Sequence, residues 1–155
     1  MPKSFGKHCL IAFLFLFTLL SDQLSKLFVV ENLRLGEFIK IFPFFNIVHV
    51  QNRGVTFGLL SGILQPVVLI ALSFVVIWFL MSCARRNESY RLPTSLIIGG
   101  AVGNIIDRVV YGAVVDFLDF HLGSYHWPAF NIADSAIVIG VCVLLFISYS
   151  EGKNG

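Results

Sequence analysis

Charge is what this sequence has least of. Only 13% of its 155 residues are Asp, Glu, Lys or Arg, while 57% are hydrophobic and the mean hydropathy is +0.85. Soluble domains carry about 25% charged residues, so the chain reads as a membrane protein. The net charge is +2 and no basic run occurs, which leaves no electrostatic footprint for nucleic acid. Cysteine is scarce as well. Cys9, Cys83 and Cys142 lie inside or at the ends of hydrophobic runs, too irregularly spaced for a disulfide framework or a metal cage. Each reads as a small apolar thiol. His8, His49, His121 and His126 have no metal-ligand spacing and His-Glu-x-x-His is missing, so no metal and no other cofactor is expected. Serine chemistry fares no better. Ser61 before Gly62 lacks a glycine two residues upstream, and Ser25 and Lys26, being adjacent, point to different faces of a helix.

Long apolar runs are abundant. Four can be marked, roughly Cys9–Val30, Leu64–Cys83, Leu92–Val110 and Asn131–Tyr149, each near the ~20 residues that cross a hydrocarbon core. Lys3 and Lys7 precede the first run, as in a secretory leader, but the residues after Leu20 read SDQLSKLFVV and offer no pair of small residues for cleavage. A retained span is expected. Arg85, Arg86 and Arg91 stand between the second and third runs, on the same side as Lys3 and Lys7, while Tyr111–Phe130 holds no Lys or Arg. The positive-inside rule then puts both termini in the cytoplasm and the segments 31–63 and 111–130 outside.

On that map the costly polar groups share one level. Asp22 and Lys26 lie at the outer end of the first span, Asn104, Asp107 and Arg108 at the outer end of the third, and Asn131 and Asp134 open the fourth. Their spacings of three and four are those of helix faces. Lys26 stands by Asp22, and Arg108 is expected beside Asp107, whereas Asp116 and Asp134 have no local cation. Two partly desolvated carboxylates cannot both ionise cheaply, so such a pair holds a shared proton. Spacing alone leaves a catalytic acid pair and a structural polar cluster as alternatives.

The stretches DQLSK (Asp22 to Lys26), NRGVTFG (Asn52 to Gly58), GGAVGNIIDR (Gly99 to Arg108), VVDF (Val114 to Phe117) and FNIADS (Phe130 to Ser135) together resemble the lipoprotein signal peptidases, the signal peptidase II family of bacterial intramembrane aspartic proteases. They occur in that family's order from the first span to the fourth. The resemblance implies an all-α membrane protein, a single domain over residues 1–155. It would have four transmembrane helices, a small extracytoplasmic β-cradle and a short interfacial helix. It implies an endopeptidase of the bacterial cytoplasmic (inner) membrane that cuts prolipoproteins before their diacylglyceryl-modified cysteine. Its partners are those substrates and the surrounding membrane lipids; a monomer is expected. By the same resemblance Asp116 and Asp134 are catalytic, while Asp22, Lys26, Asn52, Gly54, Asn104, Arg108 and Asn131 bind substrate or line the site. Asp119, three residues beyond Asp116, is the competing acid.

The remaining features fit around this reading. Residues 47–52, IVHVQN, alternate apolar and polar as a half-buried strand does. The Phe- and Ile-rich stretch before them and Trp127 suit an outer interface. Gly99, Gly100 and Gly103 give the third span a small-residue face for close helix packing. A transporter or channel would need polar sites through the full thickness, and the inner halves of the last three spans are apolar.

Overall fold

The computed structural model describes residues 2–54 and 64–154. Positions 55–58 of the NRGVTFG stretch, and Ser61 and Gly62, lie outside the described residues. The chain forms α1 (Pro2–Asn32), β1 (Phe38–Phe42), β2 (Phe45–Asn52), α2 (Leu64–Arg86), a single 3-10 turn (Glu88–Tyr90), α3 (Arg91–Tyr111), β3 (Val114–Leu122), β4 (Tyr125–His126) and α4 (Ile132–Asn154).

Among the described residues, three stretches are helical, long and apolar enough to cross a membrane: Gly6–Asn32, Gln65–Arg86 and Ile132–Lys153. The third expected span, α3, is not among them. It is 21 residues long, but Asn104, Asp107, Arg108 and three glycines dilute its apolar character. Its position explains this composition. α3 packs against α1, α2 and α4, so it needs small and polar faces where its neighbours need greasy ones. A side chain at Gly99 would come within 2.9 Å of the Phe15 backbone carbonyl on α1, and one at Gly100 would collide with the Ala133 carbonyl on α4. The glycines therefore serve packing, as expected.

The two outer segments fold into one antiparallel sheet of order β1-β2-β3-β4. β1 and the alternating β2 come from the first segment, and β3 pairs with β2 through Asn46↔Asp119, Val50↔Asp116 and Asn52↔Val114. α3 ends at Gly112, whose φ of 69° is left-handed and whose N–H closes on the Arg108 carbonyl at 3.1 Å, the usual glycine device for leaving a helix. Val115 and Phe117 then bury themselves against Val29 of α1 and Leu33 just past its end. This small core fastens the sheet to the end of the bundle. The expected short interfacial helix is not found among the described residues of the two outer segments, which run as strand and turn.

Candidate active site

Most of the polar residues singled out in the sequence meet where α1, α3, α4, β2 and β3 converge. They form two layers. In the inner layer Lys26, 2% exposed, binds Asp22 at 2.7 Å and Asp107 at 2.8 Å and donates to Asn104 Oδ1 at 2.9 Å. The cation expected for Asp107 was Arg108, its neighbour in sequence. Lys26 takes that role instead, because adjacent residues on α3 diverge and only Asp107 faces α1. Two acids on one buried ammonium need further donors, and they have them. Asp22 Oδ1 accepts the N–H of Ala133 at 2.8 Å, Asp107 Oδ2 accepts that of Val115 at 3.0 Å, and the Gln23 amide donates to both carboxylates. Ala133 lies in the first turn of α4, where the helix dipole favours negative charge. Asp22 thereby ties the first helix to the last.

The outer layer holds the two acids without a cation. Asp116, 1% exposed, sits on β3. Its Oδ1 accepts from the Asn131 amide at 2.7 Å and its Oδ2 from the Asn52 amide at 2.9 Å. Asp134, half-buried in the first turn of α4, accepts from the Asn104 amide at 2.8 Å. Asn131 joins the two. It caps α4 rather than lying within it, its Oδ1 accepting the Asp134 N–H at 2.8 Å while its amide donates to Asp116. Burial raises the Asp116 carboxyl from its ordinary 3.8 to about 6, helped by the charge of Asp134 and opposed by the Asn52 and Asn131 hydrogen bonds and by Lys26.

Gly54, with φ of 100°, donates its N–H to Asn52 Oδ1 at 2.8 Å and so fixes the amide that reaches Asp116. A side chain there would strike Leu69. Arg108 makes no ion pair among the described residues; its guanidinium donates to the Asn104 carbonyl at 3.1 Å and stays within electrostatic reach of Asp134, Asp107 and Asp116. Asp119 goes elsewhere. Three steps along a strand reverse the face, and its carboxylate accepts from Asn46 at 2.8 Å and pairs with His126 at 2.8 Å. Burial opposes its ionisation, but the Asn46 and His126 hydrogen bonds outweigh that and hold it below the ordinary range. Among the described residues no three His, Cys, Asp or Glu side chains converge as a metal-ligand set.

Gln23 and the structural part played by Asp107 were not among the expected site residues. The signal for Gln23 was present: a second polar residue beside Asp22 in an otherwise apolar helix.

Comparison with known proteins follows the same lines. The family profile for signal peptidase (SPase) II matches residues 14–150. The lipoprotein signal peptidase of Burkholderia thailandensis is 43% identical over 136 residues, covering 84% of this chain and 82% of that protein. That of Alteromonas mediterranea is 39% identical over 139 residues, 86% of this chain and 76% of the other. Two solved bacterial membrane enzyme structures, determined by the in meso method at 1.9 and 2.3 Å, superpose with TM-scores of 0.79 and 0.81 at 32% and 31% identity. They cover 88% and 93% of this chain and each is itself covered to 90%.

Proposed function

Since the chain belongs to the signal peptidase II family, and is therefore a membrane peptidase that processes prolipoproteins, we propose that Asp116 and Asp134 are its catalytic pair. Unequal access to positive charge carries this assignment. Asp22 and Asp107 share an ion pair with Lys26, while Asp116 and Asp134 make no ion pair among the described residues and are held by amide donors. Carboxylates left without a direct ion pair and linked through one asparagine are suited to holding a shared proton.

With the scissile carbonyl between them, one carboxylate takes a proton from water as the water oxygen bonds to the carbonyl carbon. The other delivers its proton to the carbonyl oxygen. The tetrahedral intermediate then collapses, the peptide nitrogen leaves with a proton, and the pair recovers its starting state. Asn52, Asn104 and Asn131 position the two carboxyls, and Gly54 positions Asn52. Asp22 and Lys26 hold the helices beneath them. Arg108, whose planar fork suits a carbonyl or a phosphate, stands beside the substrate.

The bond cut is the one before the diacylglyceryl-modified cysteine. The chain crosses the cytoplasmic (inner) membrane as a monomer, surrounded by membrane lipid, with four spans, both termini inside and the pair near the outer leaflet. Incubation with a synthetic diacylated lipobox peptide tests this: mass spectrometry should find one new N-terminus, at the lipidated cysteine. Cleavage at any other bond, or none, overturns it.

A further inference from the structure

The end of the bundle opposite the carboxylates holds a second feature, which the peptidase chemistry does not use. α1 and α2 both pack on α3 but not on each other. Between them, at the starting end of α3, opens a cavity of about 440 Å³, within the range of ligand sites. Thr94 on its wall lies 13 residues before Asp107 on α3, roughly 20 Å away along the helix.

The cavity has two characters. Ile11 and Phe15 of α1, Met81 of α2 and Ile98 of α3 make it apolar along its length. Arg85, Arg91 and Thr94 line its end. The Thr94 hydroxyl is buried, the residue being 3% exposed, and finds no hydrogen-bond partner among the described residues. A buried hydroxyl so placed awaits an acceptor. A smaller adjoining cavity adds Lys7. Glu88 pairs with Arg91 at 3.3 Å and Lys7 at 3.8 Å, so one acid stands against three cations. Arg85 makes no ion pair among the described residues.

We propose that this cavity binds an anionic phospholipid, one acyl chain lying between α1 and α2 and the phosphate held by Arg85, Arg91 and the Thr94 hydroxyl. The apolar walls exclude a free phosphate ion as the preferred occupant, since it would leave them unfilled. The excess of cations selects an anionic headgroup over a zwitterionic one, as basic pockets between membrane helices do. The inference requires only that the bundle is embedded in lipid; neither the peptidase assignment nor the direction of insertion enters it.

Native mass spectrometry of the purified full chain in detergent tests it, with dioleoyl phosphatidylglycerol and dioleoyl phosphatidylcholine offered in equal amounts. The wild-type chain should retain the phosphatidylglycerol in preference. The double variant Arg85→Gln, Arg91→Gln should lose roughly thirtyfold in that retention. Met81→Trp, at an exposed position whose larger ring fills the cavity, should weaken retention of both lipids. Equal retention of the two lipids by the wild type, or unchanged retention in either variant, overturns the site. Displacement of the lipid by millimolar inorganic phosphate overturns the role given to the acyl chain. Cleavage of the lipobox peptide by the same samples reports the carboxylates separately, so lost retention with cleavage intact bears on this cavity alone.

Discussion

At the scale of the residue, what distinguishes one aspartate from another here is who neutralises it. Asn has nearly the size of Asp but cannot take up or release the proton, so Asp116→Asn and Asp134→Asn should each insert and fold yet fail to cleave the diacylated peptide. The double variant should be no worse than either single one, because residues acting as a unit are not additive. Asp119→Asn, facing Asn46 and His126, should keep most activity; a dead Asp119→Asn beside an active Asp116→Asn would reverse the assignment. Lys26→Met makes the opposite kind of change. It leaves Asp22 and Asp107 buried without their cation, which costs about 3–5 kcal/mol, and should appear as a collapse of thermal stability before any assay of activity. The sign of the pH response follows from Asp116. Its pKa is raised to about 6, so it keeps its proton below that pH and loses it above. If one shared proton is required, kcat/KM, which reports the free enzyme, should fall about tenfold per unit once pH has risen past about 6. A profile still climbing at pH 8 contradicts a shared proton.

At the scale of the element, α3 is the least greasy helix and the one in contact with all the others. Gly100→Ala pushes a methyl into the Ala133 carbonyl on α4, and overpacking of this kind costs about 1–3 kcal/mol. A fall of several degrees in the unfolding midpoint in detergent is expected, against no change for Gly152→Ala, where space is open. The element scale also sets what was legible in the sequence. The four helices, the alternation of β2 and the i, i+4 partnership of Asp22 and Lys26 all follow from local spacing, and local spacing is what periodicity reports. β3 was read only as part of an outer segment, because VVDFLDF carries no clean alternation: Val114, Val115, Asp116 and Phe117 are all buried, the strand being covered on both faces. The bond from Lys26 to Asp107 was misread for a different reason. It joins two helices whose rotational register no single-helix pattern can supply. Spacing alone did not separate Asp119 from Asp116; the resemblance favoured Asp116, and β3 turns Asp119 away onto Asn46 and His126.

At the scale of the whole molecule, Phe13, Phe17, Leu24, Leu72, Trp78, Phe79, Leu145 and Phe146 lie on helix surfaces more than half exposed, as side chains do where lipid is the solvent. The expected orientation can be read by labelling. In a background with Cys9, Cys83 and Cys142 replaced, Ser124→Cys should react with a membrane-impermeant maleimide added outside intact cells, and Ser89→Cys only after lysis; the reverse pattern inverts the chain. The bond from Asp22 to the Ala133 N–H spans 111 positions of sequence, and it bears on timing. During synthesis the first helix emerges long before α4, so the N-terminal turn that carries Asp134 cannot be seated by its partner until nearly all of the polypeptide has left the ribosome. Chains that end before α4 lack Asp134, so on the proposed assignment an unfinished polypeptide should be inert and activity should arrive only with the last helix.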